Sequence, residues 1–194
     1  MKKLATFLAV SHSIATVNLM GLDYLPEIRA AYYYETDHLT RDIYGSAALF
    51  NVEFNIQTSA HSMPFVALGY LHQDGYSLSG HDSTSLYTIP IEIGYKYLFL
   101  TNNIQPYLGL ALDISYVHIK NNSPFVIPTQ AGWAVGFKPK SGVLFFPDDH
   151  FFIDVFLDYT YLDMCFSDED DQLVYNKKLD LSGLSVGAGI GYKF

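Results

Sequence analysis

From Pro26 onward the chain alternates apolar and polar residues with a period of two, in runs of about ten residues divided by polar or Gly/Pro-containing connections. The last run is the clearest. Leu184, Val186, Ala188, Ile190, Tyr192 and Phe194 share one face, and Ser185, Gly187, Gly189, Gly191 and Lys193 share the other. Ala47–Thr58, Ser83–Tyr97 and Gln105–Tyr116 keep the same phase, and weaker runs at Glu27–Glu35, Phe65–Gln73, Gln130–Lys138 and His150–Tyr161 complete a set of eight strands. Phe65–Gln73 is apolar on both faces, so its register cannot be read from the pattern. The connections after strands one, three, five and seven (Thr36–Ser46, Asp74–Asp82, Val117–Thr129 and Leu162–Asp180) are longer than Ser59–Pro64 and Leu98–Ile104, with Pro139–Asp149 intermediate.

Long connections on one rim and short turns on the other predict an all-β fold: an eight-stranded antiparallel up-and-down transmembrane β-barrel. Alternation alone does not say which face is wet, because a soluble barrel turns its apolar face inward. Side-chain size decides. The polar face of the last run is Ser and Gly with one Lys and fits a narrow bore, whereas the branched and aromatic face needs an open surround, so it points into lipid. Hydrocarbon offers backbone N–H and C=O groups no partner, so the sheet must close on itself. Strand-end tyrosines such as Tyr87, Tyr95, Tyr97, Tyr116, Tyr159, Tyr161 and Tyr192 suit interfacial aromatic bands.

The same assignment sends Arg29, Glu53, Glu92, Lys96, Asp113, Lys138, Asp154, Asp158 and Lys193 into the bore. Buried charges need partners, so these residues read as an ion-pair network filling the interior. A charge-lined conducting path is the competing reading.

Composition narrows the class further. The 194 residues suffice for one domain, and a net charge of −9 with only 11 Lys plus Arg argues against nucleic acid as a partner. Cys165 is the sole cysteine, which rules out an internal disulfide framework. Residues 1–21 open with Lys2 and Lys3, continue through apolar Leu4–Val10 and reach small Ser13 and Ala15, the layout of an export signal cleaved between about residues 15 and 21. That leaves 22–194 as the barrel. No later run of 18 apolar residues could form a membrane-crossing helix.

Candidate chemistry is thin. His61-Ser62 and His81-Asp82-Ser83 bring a nucleophile near a base in sequence, but both fall in connections, and adjacency is not triad geometry. Asp168-Glu169-Asp170-Asp171 could gather divalent cations but lacks the spacing of a calcium loop. Arg41-Asp42-Ile43-Tyr44-Gly45 reads as an ordinary turn ending in a permissive Gly, although it could pack over the barrel mouth. No catalytic, cofactor-binding or metal-ligating set emerges, and the expectation is a protein without enzymatic activity.

The closing segment Gly187-Ala188-Gly189-Ile190-Gly191-Tyr192-Lys193-Phe194 resembles the C-terminal signature of outer-membrane β-barrels, in which apolar and aromatic residues alternate up to a final Phe. With the export signal and eight strands, the chain resembles the small OmpA-, OmpX- and OmpW-type barrels from about Pro26 to Phe194. The resemblance implies the outer membrane of a double-membrane bacterium, with lipid and lipopolysaccharide as its surround. It also implies barrel-assembly machinery and periplasmic chaperones as partners, with Ile190, Tyr192 and Phe194 as the assembly signal. The expected service is structural, adhesive or envelope-protecting, through four exterior loops with partners unknown. A narrow channel for small or hydrophobic solutes is the alternative, and a lipid A-modifying enzyme a more distant one.

Overall fold

The computed structural model describes residues 21–76, 82–122, 129–165 and 178–194. Residues 1–20 of the expected export signal, His81, the apolar stretch Pro124–Pro128 and the acidic run Asp168–Asp171 lie outside them.

The strands are β1 (Asp23–Glu35), β2 (Ser46–Gln57), β3 (Ser62–Tyr76), β4 (Ser83–Leu98), β5 (Ile104–Asn121), β6 (Thr129–Phe145), β7 (Phe151–Cys165), the short β8 (Lys178–Asp180) and β9 (Gly183–Tyr192). β1 to β7 each pair antiparallel with the next, β8 pairs with β7, and β9 bridges β7 and β1. β1–β7 and β9 thus form a closed ring of eight, and β8 extends β7 at the long-loop rim. Closure leaves none of these eight ring strands as a free edge that carries unpaired backbone groups.

Both faces of the wall follow the alternation. Ile28, Phe50, Leu68, Leu110, Val135 and Ile190 stand exposed on the outside, Leu110 and Ile190 each at 56%. Glu53, Glu92 and Lys96 are buried inside. This arrangement inverts that of a water-soluble barrel. The β2 and β4 pairings also settle β3: Phe65, Ala67 and Leu71 turn inward, and Val66, Leu68 and Tyr70 outward. Its inward face is apolar because the bore holds more grease than the last strand suggests. Leu25, Met63, Leu98, Tyr107, Leu144, Phe146 and Phe152 pack into one cluster near the short-turn rim.

Several strands run past their expected ends. β6 continues through Pro139 to Phe145, so the connection expected at Pro139–Asp149 shrinks to residues 146–150. Pro139 suggests a strand end because it cannot donate to a ladder. The chain accommodates it by letting the β6–β7 pairing jump from Phe137↔Tyr161 to Lys140↔Asp158. All the short-rim connections are therefore tight.

The first long connection differs from the expected turn. His38–Tyr44 forms a helix, α1, capped by Asp37, whose carboxylate accepts a hydrogen bond from Thr40 N at 2.8 Å. Such a cap supplies a partner to a backbone donor that the helix itself leaves unpaired. Gly45 ends α1 at φ 68°, a left-handed value that suits glycine. Tyr44 swings inward and joins Leu86, Val117, Ile119, Leu162, Met164 and Leu181 beneath the helix.

Candidate functional site in the barrel interior

The bore is filled in layers, with an ionic middle between apolar ends. Arg29 of β1 sits at its centre, its side chain fully buried. Its guanidinium reaches Glu53 Oε2 at 3.0 Å, Asp158 Oδ2 at 3.2 Å, Asp154 Oδ2 at 3.4 Å and Glu27 Oε1 at 3.6 Å. It also donates to Tyr107 Oη at 3.3 Å, which in turn donates to Asp154 Oδ2 at 3.0 Å. The guanidinium carbon, Cζ, lies 3.5 Å from the centre of the Phe156 ring.

A second group interlocks with the first. Glu53 is shared by Arg29, Lys96 and Lys140, the last at 3.0 Å. Lys140 also reaches Glu92 Oε2 at 2.8 Å and Asp158 Oδ2 at 3.5 Å. Lys138 closes the chain of contacts, 2.5 Å from Glu92 Oε1 and 3.4 Å from Asp113 Oδ2. Ser115 Oγ donates to the other Asp113 oxygen at 2.6 Å. Every one of these charged side chains is at most 3% exposed. At such burial an unmatched ion is costly, and several contacts per ion offset the lost hydration.

The structure brings Arg29, Glu53, Glu92, Lys96, Asp113, Lys138, Asp154 and Asp158 together. Lys193 is not among them: it follows the end of β9 at the short-turn rim, its Nζ 2.7 Å from Asp23 Oδ2 and its side chain 31% exposed. Alternation points it inward, but the bore has already ended there. Glu27, Glu35, Tyr107 and Lys140 were missed as interior residues. Glu27 shares the parity of Arg29, and Lys140 that of Lys138, so extending each run by one period finds both.

Of the residues expected to carry the assembly signal, Ile190 and Tyr192 lie on the outer wall and Phe194 follows the last strand. Ile190 and Tyr192 are exposed, the Tyr192 ring lies 4.8 Å from that of Phe194, and Phe194 N donates to Tyr24 O at 2.9 Å. His61 and Ser62 turn to separate partners: His61 Nδ1 lies 2.7 Å from Leu98 O, while Ser62 Oγ pairs with Thr58 Oγ1 at 2.9 Å. No base–nucleophile contact forms between them.

Aromatic rings mark both rims. Near the short turns, Tyr97 contacts His61 and Phe99, and Tyr192 contacts His150. Towards the long loops, Tyr116 meets Trp133 and Phe137 stacks on Tyr161. Rings at two levels with aliphatic side chains between them match the two interfaces of a bilayer and its hydrocarbon core.

Solved structures that share this architecture include the following three. OprG of Pseudomonas aeruginosa, an outer membrane protein, aligns with a TM-score of 0.61 at 13% identity, over 89% of this chain and 95% of its own. The fold is that of the small outer-membrane β-barrels. Neisserial surface protein A aligns at 0.55 with 15% identity, over 90% of this chain and 97% of its own. Ail, the attachment invasion locus protein of Yersinia pestis, solved with the heparin analogue sucrose octasulfate, aligns at 0.53 with 14% identity over 89% and 97%. No family model and no curated protein matches the chain. At these identities the likeness is one of fold. The outward belt of this chain is itself apolar, the character that a transmembrane barrel turns to lipid.

Proposed function

We propose that this chain is an integral outer-membrane barrel that conducts no ions and serves as a rigid mount for its four long outer connections, in an adhesive or envelope-protecting role. The observation that supports this reading is the filled bore. Fully buried Arg29, Lys96, Lys140 and Glu53 occupy its middle, Leu25, Met63, Leu98, Leu144 and Phe152 close the short-turn end, and Tyr44 of α1 packs into the other. An eight-stranded barrel is just wide enough for side chains to fill it. In this reading residues 1–21 direct export, Ile190, Tyr192 and Phe194 are read by barrel-assembly machinery after periplasmic chaperones deliver the chain, and lipopolysaccharide surrounds the outer half.

A second reading, passage of small hydrophobic solutes through the wall, draws on one feature. A groove of about 380 Å³ opens beside Pro139, between outward Leu108, Leu157 and Leu184, and it reaches the interior residues Lys140 and Asp158. Reconstitution into planar bilayers distinguishes the ionic case. The filled bore should give no stable conductance steps, and steady single-channel currents that change with Glu92→Gln would overturn it. Liposome uptake of an apolar dye, lost on narrowing the groove with Leu108→Trp, would favour the second reading.

A further inference from the structure

The outer wall changes character towards the long connections. Along β5 the outward side chains run Leu112, Ile114, Tyr116, His118 and Lys120. β3 passes likewise from Leu68 through Tyr70 to His72 and Asp74, and β4 from Ile89 through Tyr87 to Ser85. On each strand aliphatic residues give way to a tyrosine and then to polar groups, so the hydrocarbon ends near those tyrosines and the headgroup layer begins. Among the described residues of β1–β7 and β9, His72, His118 and Lys120 are the only basic side chains that face outward.

These three are not spread around the ring. Strand pairing sets His72 opposite Tyr87 and Tyr87 opposite His118, with Asp74, Ser85 and Lys120 forming the next row. The His72 ring stacks on Tyr87 at 4.4 Å, the His118 ring lies 6.0 Å away, and Lys120 Nζ is 5.4 Å from the same ring centre. All three therefore gather about one tyrosine. Asp74 Oδ1 lies 3.2 Å from His72 Nε2 and accepts a hydrogen bond from Ser85 Oγ at 2.6 Å, which steadies His72 at the edge of the group. Among the described residues no carboxylate pairs with His118 or Lys120. The far side of the barrel differs: β7 and β1 turn Tyr161, Tyr32 and Tyr34 to the same interface.

An ammonium and imidazole N–H groups are donors that suit phosphate oxygens, and beside hydrocarbon their attraction for an anion exceeds its value in water. The anions found at that depth are lipid headgroup phosphates. We propose that the outward face of β3–β5 binds a phosphate of an outer-leaflet glycolipid of the lipid A class, with Lys120 and His118 on the phosphate and His72, held by Asp74, at its flank. One side of the barrel then holds a fixed lipid, while the tyrosines of the other side accept any headgroup. This inference rests on the reading that lipopolysaccharide surrounds the outer half of the barrel, and it names the residues that engage it.

The test uses the full-length chain refolded in a neutral detergent and titrated with diphosphoryl lipid A, or with the same lipid stripped of both phosphates. Trp133, the sole Trp of the chain, is the reporter, because its ring lies 5.3 Å from that of Tyr116, two residues before His118 on β5. The phosphorylated lipid should change the Trp133 emission saturably and bind more tightly than the stripped one. Lys120→Met should weaken the phosphorylated lipid about fivefold, the worth of one basic residue beside an anionic headgroup, and leave the stripped lipid unchanged. His118→Gln should weaken it too, and because both side chains point away from the bore, both variants should refold. Arg41→Gln, on α1 over Tyr34 of β1, should bind as the wild type does. Equal affinity for the two lipids would overturn the phosphate site and keep lipopolysaccharide as the surround, whereas no binding of either would sink both. Full affinity in Lys120→Met and His118→Gln would also overturn it, as would an equal loss in Arg41→Gln, since charge anywhere on the rim would then suffice. Inorganic phosphate alone reproducing the emission change would assign the site to a soluble anion and overturn the lipid.

Discussion

Replacing Arg29 with Met should be the most damaging single change in the bore, and the structure gives its scale. Met keeps most of the side-chain volume, so little cavity forms and the loss is electrostatic. Glu27, Glu53, Asp154 and Asp158 all lose a cation within 3.6 Å, and among the described residues Asp154 has no other ion-pair partner. Removing one member of a buried ion pair costs about 3–5 kcal/mol. With a urea slope of about 2 kcal/mol per molar, that lowers the unfolding midpoint by about 2 M. The assay is a urea series of refolded protein, read by the heat-modifiable gel shift that separates compact barrel from open chain. Asp154→Asn supplies the internal control: costly in the wild type, it should cost less or even stabilise in the Arg29→Met background, with a coupling of about 0.5–3 kcal/mol. A midpoint for Arg29→Met equal to that of the wild type would refute the reasoning. So would strict additivity with Asp154→Asn, since the ion pairs would then contribute nothing through each other.

Two further expectations test the wall and the helix. Leu112 lies on the exposed belt, midway along β5 between Leu108 and Tyr116, so Leu112→Arg should cost about 2–4 kcal/mol in lipid vesicles, measured as the change in folding free energy; no cost would place that face outside the hydrocarbon. Asp37→Ala should loosen α1 by about 1 kcal/mol, read as faster amide exchange across His38–Tyr44, with strand amides unaffected. The hydrogen bond from Thr40 N holds the Asp37 carboxyl below its ordinary value of 3.8. A depressed acid stabilises the folded form above its unfolded value, so the capping contribution is complete above about pH 4 and fades as the pH falls further. Exchange at α1 should therefore rise in the wild type below pH 4 and stay flat in Asp37→Ala.

Much of this architecture could be read from alternation because a membrane barrel has two faces of opposite character and a side-chain period of two. The outward stripe of β9 and the inward charges of β2 and β4 both follow from it. β3 resisted because its inward positions, Phe65, Ala67 and Leu71, are as apolar as its outward ones, and only pairing with Asn51 and Glu53 on β2 fixes the parity. Lys140 was hidden behind Pro139, whose missing N–H suggests a strand end although the ladder merely skips it. The helix at His38–Tyr44 is too short to leave a periodic trace, and its burial comes from only Thr40 and Tyr44. A small cavity beside Glu35, of about 20 Å³, depends on all of β1–β7 meeting across the bore, which no local pattern contains.

The bareness of β9 has a bearing on how such a barrel is completed. A side-chain carbon added at Gly183 would strike the Tyr33 ring, at Gly189 the Glu27 carboxylate, and at Gly191 the ring of Phe152. Neighbouring residues lean over this strand, which apart from Ser185 offers them little but backbone. The contents of the bore are therefore inscribed in the preceding seven strands and can be arranged on a curved, still unjoined sheet. The final ribbon then slides beneath them, adding two ladders and a greasy outer stripe without disturbing what is already set.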